Sequence, residues 1–426
     1  MELRYPGISS GYIGEKNNNQ TLNSKFYSLL HKNFENIAVQ NDDGVILIPQ
    51  RIPRSGLFDE LYKLETSRYQ NAFTLRRQEL EKSFKCSVAQ LNENQDKRAI
   101  RLYINWANIC LRYGRFQMVL DATPVQTAIH SFVLEIHLLK ELARIELQLS
   151  SGLPVSGDNY LLLAEKYLSE DSVSEREKIM LLNQLIVTIY RHQKGHRSKK
   201  IFLLARNHLT RLEKFEENNP LNQLCCSIGY RGLAMVSEFG PQLQTEILNR
   251  AENIALNMKG RCISENIIFL ENQYTCYQSI AKWHLHNHDD EKTENFLNKM
   301  TEVDPNDSTA YSELGLHNIQ MKKYDNAAAH FKKALERGPP GVSMNTYYYA
   351  KCIEILGHSV DGIKYLHESA ELDDTAVSPW LDLFERYQKN NDAVNASKSA
   401  KHILSTPILR TQLETNEILN LQNYIN

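Results

Sequence analysis

From Leu57 onward, apolar residues recur at three- and four-residue intervals with charged residues between them, the period of helices burying one face. Leu61, Leu64, Tyr69, Phe73, Leu80 and Phe84 open this pattern, and residues 98–121 continue it through Trp106, Ile109, Tyr113 and Gly114. Further amphipathic segments are predicted at 134–149, 158–169, 174–193, 198–214, 220–238, 242–258 and 264–286, joined by short polar turns. Strand signal is confined to the N-terminal part. Ile37 to Gln40 and Val45 to Ile48 flank the turn-like Asn41-Asp42-Asp43-Gly44, which predicts either a β-hairpin or an extended segment lying on the first helices. Helix after helix with brief connections predicts an all-α array rather than an alternating α/β core.

The clearest periodicity lies in Ser308 to Val342. Tyr311, Leu314, Gly315, Ala327, Phe331, Ala334 and Pro339 stand at positions 4, 7, 8, 20, 24, 27 and 32 of a unit about 34 residues long. Small residues at 8 and 20 let two antiparallel helices approach, large ones at 4, 7 and 24 fill the flanks, and a proline ends the second helix. The same register places Tyr277, Ile280, Ala281, Leu297 and Met300 in a unit from Tyr274, and Tyr349, Ala350, Gly362 and Leu366 in one from Ser343. A unit from Val377 has Trp380, Leu383, Tyr387 and Ala396, and Leu409 to Ile425 is expected to cap the array.

This spacing resembles the tetratricopeptide repeat, strongly over residues 274–410 and in degenerate form upstream. The resemblance implies a right-handed α-solenoid of helix pairs. The expected organisation is an N-terminal arm with the hairpin at 1–56, degenerate helical repeats at 57–273, and four repeats plus a capping helix at 274–426. In similar proteins, positions 2, 5, 9 and 12 of each first helix line a peptide-receiving groove. Here these are Thr275, Gln278, Lys282 and Leu285; Thr309, Ser312, Leu316 and Ile319; Met344, Tyr347, Lys351 and Glu354; and Ser378, Leu381, Glu385 and Gln388. The lysine–asparagine clamp with which one subfamily holds a terminal carboxylate is not carried over, so Gln278, Lys282, Tyr347 and Lys351 become the candidate peptide-binding residues.

Composition adds limits. Of 426 residues, 42% are hydrophobic and 23% charged, and 49 basic against 51 acidic side chains give a formal net charge of -2. That balance provides no general attraction to nucleic acid or anionic membrane. No secretory signal and no apolar run of membrane-spanning length is read, and seven scattered cysteines without CxxC spacing read as reduced thiols. The expected compartment is the cytoplasm, with the nucleus open in a eukaryotic source.

Candidate chemistry is sparse. Phosphate-binding glycine loops, HExxH, GxSxG and zinc frameworks are absent from the sequence, so no catalytic residues and no cofactor are assigned. His284, His286 and His288 beside Asp289 and Asp290 form a weak metal candidate. Alternate residues do not share one helix face, and histidines at a helix C-terminus complement its dipole without a metal. The basic run from Arg191 to Lys200 reads either as an anion-receiving patch or as a solvated turn. The favoured function is a non-enzymatic scaffold or adaptor that binds a protein or peptide partner, with membership of a larger complex open. The alternatives are a peptide-responsive regulator and an accessory subunit completing an enzyme's active site with its N-terminal segment.

Overall fold

The computed structural model describes residues 39–40 and 46–47 and, with short gaps, residues 100–425. The remainder of the expected arm, the helical segment 57–99 and most of the basic run after His192 lie outside the described residues. Val39–Gln40 (β1) and Ile46–Leu47 (β2) pair antiparallel, Val39 opposite Leu47 and Gln40 opposite Ile46.

All other described elements are helical. They are α1 (Phe116–Asp121), α2 (His130–Ser150), α3 (Asp158–Leu168), α4 (Glu175–His192), α5 (Lys199–Phe215), α6 (Pro220–Leu233), α7 (Gly240–Asn257), α8 (Ile263–His286), α9 (Asp290–Val303), α10 (Ser308–Gln320), α11 (Tyr324–Arg337), α12 (Val342–Ile355), α13 (Ser359–Leu372), α14 (Val377–Lys389), α15 (Ala393–Ser405), α16 (Pro407–Arg410) and α17 (Thr415–Ile425). The chain divides into two compact units, with a boundary between Val303 and Asp304.

In the unit ending at Val303, each helix packs on its sequence neighbour and α6 also packs on α4 and α8. Tyr160, Ile179, Leu185, Leu212, Tyr230 and Tyr274 are buried there. Local chemistry sets the helix starts. Ser174 and Glu177 form a reciprocal capping box before α4, with the Ser174 amide donating to Glu177 Oε2 at 3.0 Å. Asn219 Oδ1 accepts from the Leu221 amide at 2.9 Å, and Pro220 occupies the first position of α6, where an amide proton is not needed.

Helix α6 stops at Leu233, short of the predicted 238, and a single 3₁₀ turn at Ser237–Phe239 follows. The Gln244 side chain reaches back from α7 and donates to the Ala234 carbonyl at 2.8 Å, satisfying an acceptor the helix end leaves open.

In the unit from Asp304, α10 to α15 form three antiparallel pairs, and each pair packs on the next. The packing follows the spacing of the counted repeat. A Cβ placed on Gly315 would lie 2.7 Å from Phe331 Cζ, so position 8 has to be glycine for the position-24 ring to sit where it does. The predicted capping helix is broken in two, α16 and α17, with Leu409 and Leu421 both buried against Val377, Phe384 and Ile403. The Glu414 amide donates to Glu417 Oε2 at 2.9 Å, which starts α17 afresh after the turn.

Candidate functional site

The turn inside each helix pair fixes the register of the candidate face. His288, Lys322, Gly357 and Asn391 all have positive φ, at 58°, 59°, 97° and 57°, and each stands at position 15 of its counted unit. The following amide, at position 16, donates back to the carbonyl at position 11 in every unit: Asp289 to His284, Lys323 to Asn318, His358 to Ile353 and Asp392 to Tyr387, at 2.8–2.9 Å. This left-handed residue with a long return bond is a Schellman cap, and its exact recurrence means the first helices can be compared position by position.

In the units from Ser308 and Ser343, positions 2 and 9 are half-buried while 5 and 12 face inward. Thr309, Leu316, Met344 and Lys351 keep partial exposure, whereas Ser312, Ile319 and Tyr347 are buried. Tyr347 therefore corrects an expectation. It is 1% exposed, packed edge-on against Tyr348 with ring centroids 5.1 Å apart, inside the cluster that includes Phe331, Leu366 and Leu383. Position 5 here belongs to the seam between stacked pairs, and a partner cannot reach this ring as an anchor. Ser312 is likewise turned onto its own helix, donating to the Ser308 carbonyl at 2.9 Å.

Lys351 is on the face but occupied. Its Nζ lies 2.8 Å from Asp382 Oδ2, with the two side chains 17% and 9% exposed. One turn along, Arg386 Nη2 donates to Glu354 Oε2 at 2.6 Å, and the carboxylate is again the more buried member. Two ion pairs thus join α12 to α14, cations outward and carboxylates inward, and the patch is neutral as a whole. Neither Asp382 nor Arg386 stands at a position that the repeat spacing assigns to the groove. Their signal was the two opposite-charge pairs 31 and 32 residues apart, close to one repeat length.

In the other unit, Gln278 is half-buried and Lys282 exposed on α8. Their neighbour at position 2, Thr275, is held by the Arg231 guanidinium of α6, which also lies 3.5 Å from Asn272 Oδ1. Asn272 continues inward to Ser227, whose hydroxyl donates to the Ala251 carbonyl at 3.0 Å. A hydrogen-bonded polar seam therefore runs beside this stretch of α8.

The three histidines do not converge. His284 stacks on Phe296 with centroids 5.7 Å apart and has Nδ1 3.4 Å from Asp289 Oδ2; burial pulls its pKa down and Asp289 partly restores it. His286 is exposed, and His288 is the left-handed turn residue. Among the described residues no group of three or more His, Cys, Asp or Glu side chains is placed to hold a metal ion. Cys225, Cys276 and Cys352 are buried, and burial pushes each thiol up to about 12. Among the described residues no helix is long and apolar enough to cross a membrane.

No family model matches the chain, and no curated protein matches it. Solved structures similar to it include the human IFIT1 dimer with m7Gppp-AAAA, at 12% identity over 96% of this chain and 86% of that one, TM-score 0.43. Yeast Tom70 is similar at 15% identity over 84% of this chain and 70% of that one, TM-score 0.36. MamA of AMB-1 is similar at 15% identity over 46% of this chain and 92% of that one, TM-score 0.30. Such values say nothing of what this chain binds.

Proposed function

We propose that the chain is a non-enzymatic scaffold whose first-helix face receives an extended segment of a partner protein. The observation that supports this is that Leu316, Met344 and Leu381, at positions 9, 2 and 5 of the successive first helices α10, α12 and α14, are each half-buried. Each packs against the core on one side and keeps apolar surface for a partner on the other. The repeat-bearing part is taken as 274–426, preceded by degenerate repeats at 57–273 and the arm at 1–56. Gln278 and Lys282 on α8 are the proposed polar contacts in their unit. Lys351 contributes in its own unit only as a neutralised cation. The face at α12 and α14 therefore suits a neutral, apolar segment better than an acidic one. The proposed compartment is the cytoplasm.

The test is crosslinking mass spectrometry on the full chain with captured partners, beside the double variant Gln278→Ala, Lys282→Ala and the variant Leu316→Asp. The expected result is crosslinks on α8 or on α10, α12 and α14, with binding reduced at least about tenfold in the variant of the unit engaged, a loss of about 1.4 kcal/mol. Crosslinks mapping elsewhere, with both variants binding as the parent does, remove the proposed face. Turnover of a small substrate by the purified chain removes the class.

A further inference from the structure

Helices α4, α5 and α6 are joined by a buried relay that the scaffold reading does not use. His208 on α5 is 1% exposed, and its Nε2 lies 2.7 Å from Asn183 Oδ1 on α4. Asn183 Nδ2 in turn donates to the Cys225 carbonyl on α6 at 2.9 Å. A carbonyl only accepts, so this second bond orients the amide with Oδ1 toward the imidazole. The ring proton must then sit on Nε2. Nδ1 is left as a bare acceptor, buried and without a hydrogen-bond partner. Gly229 of α6 makes the arrangement possible, since a Cβ there would lie 2.5 Å from Asn183 Oδ1 and 2.6 Å from Leu212 Cδ1.

We propose that this relay is an acid-sensitive joint: it holds α4, α5 and α6 together while His208 is neutral and releases α5 when Nδ1 takes up a proton. A protonated ring would carry an N–H with no acceptor in a site closed to water, and an unsatisfied buried charge is costly. The surrounding groups do not rescue it. On α5 itself stands Arg211, a like charge, paired at 3.0 Å with Glu175 of α4. Arg176 of α4 donates to Asn222 of α6 at 2.8 Å, and Glu177 is engaged in the capping box with Ser174. From α6 come Cys225 and Cys226, both buried thiols, with Cys225 held protonated by burial. Burial first, and then Arg211, press the His208 pKa down to about 3. An unfolded histidine titrates near about 6.5. The joint is therefore fully effective above that value and weakens as pH falls from it toward the folded value. Each pH unit multiplies the opening constant about tenfold, because opening is coupled to uptake of one proton.

Two measurements test this. The first is a long-range nitrogen–proton NMR titration of the full chain. His208 should keep the Nε2–H tautomer without titrating between about pH 7.5 and 5; a folded-state midpoint near about 6.5 overturns the proposal. The second is hydrogen exchange over 199–215, corrected for intrinsic rates, in the parent and in His208→Gln, whose amide donates to Asn183 but does not titrate. The opening constant should rise about tenfold per pH unit below about 6.5 in the parent and stay nearly flat in the variant. Equal slopes in both chains overturn it. Should His208→Gln fail to fold, the titration of the parent decides alone.

Discussion

Gly315 lies under the Phe331 ring, and three ring atoms stand 2.7–2.9 Å from where its Cβ would be. The ring is fully buried and has no room to retreat. Gly315→Ala is expected to lower stability by about 1–3 kcal/mol through overpacking, despite alanine's better helix propensity. A denaturant midpoint unchanged or raised in the variant refutes that. This pair was legible in the sequence because position 8 and position 24 are 16 residues apart in one helical hairpin, so their meeting needs no knowledge of neighbours. Tyr347 was not legible for the opposite reason. Whether position 5 faces a groove or a seam depends on how closely the next pair stacks, and its burial among Phe331, Leu366 and Leu383 brings together three different helices. The histidines fall between the two cases: the turn was foreseen, but the stacking of His284 on Phe296 is set by the partner helix.

Helix bounds followed the apolar period closely because caps and turns are written locally. The misjudged ends, after Leu233 and around 411–414, depend on a side chain from the next helix and on a second packing site for Leu421. The position-15 turns give a matched experiment. Lys322 adopts φ near 60° with a side chain that disfavours it and Asn391 with one that tolerates it, whereas Gly357 carries none. Lys322→Gly is expected to gain up to about 1 kcal/mol and Gly357→Ala to lose about 1 kcal/mol, both read from unfolding midpoints. Midpoints unchanged in both variants, or a loss for Lys322→Gly with a gain for Gly357→Ala, would show that these turns do not set the pairing. Between α12 and α14, Lys351→Met leaves Asp382 buried without its cation and is expected to cost about 3 kcal/mol. Pairing it with Asp382→Leu should recover the loss to within about 1 kcal/mol, and a double variant as unstable as the single one contradicts the ion-pair account.

Among the described residues of the unit from Asp304, each helix pair packs chiefly on its neighbours, so stability there is expected to be a sum of pair and interface contributions rather than one indivisible core. The last interface is the C-terminal one. Leu421 of α17 is buried on α15, and Tyr424 sets its ring edge-on to Phe384 with centroids 5.3 Å apart. These two residues cover an apolar face that α14 and α15 would otherwise expose. Leu421→Ala removes most of a buried side chain and is expected to cost about 2–4 kcal/mol. In a one-dimensional stack that loss is felt locally. Amide exchange should quicken by about 30-fold or more in α14 and α15 while α10 and α11 change little, because the α10–α13 interfaces are untouched. Uniform acceleration across α10 to α15 instead means that the unit opens as a single cooperative body. In that case a partner lying on Leu316 and Met344 would be sensed at the C-terminus, and the same Leu421→Ala variant would weaken its binding.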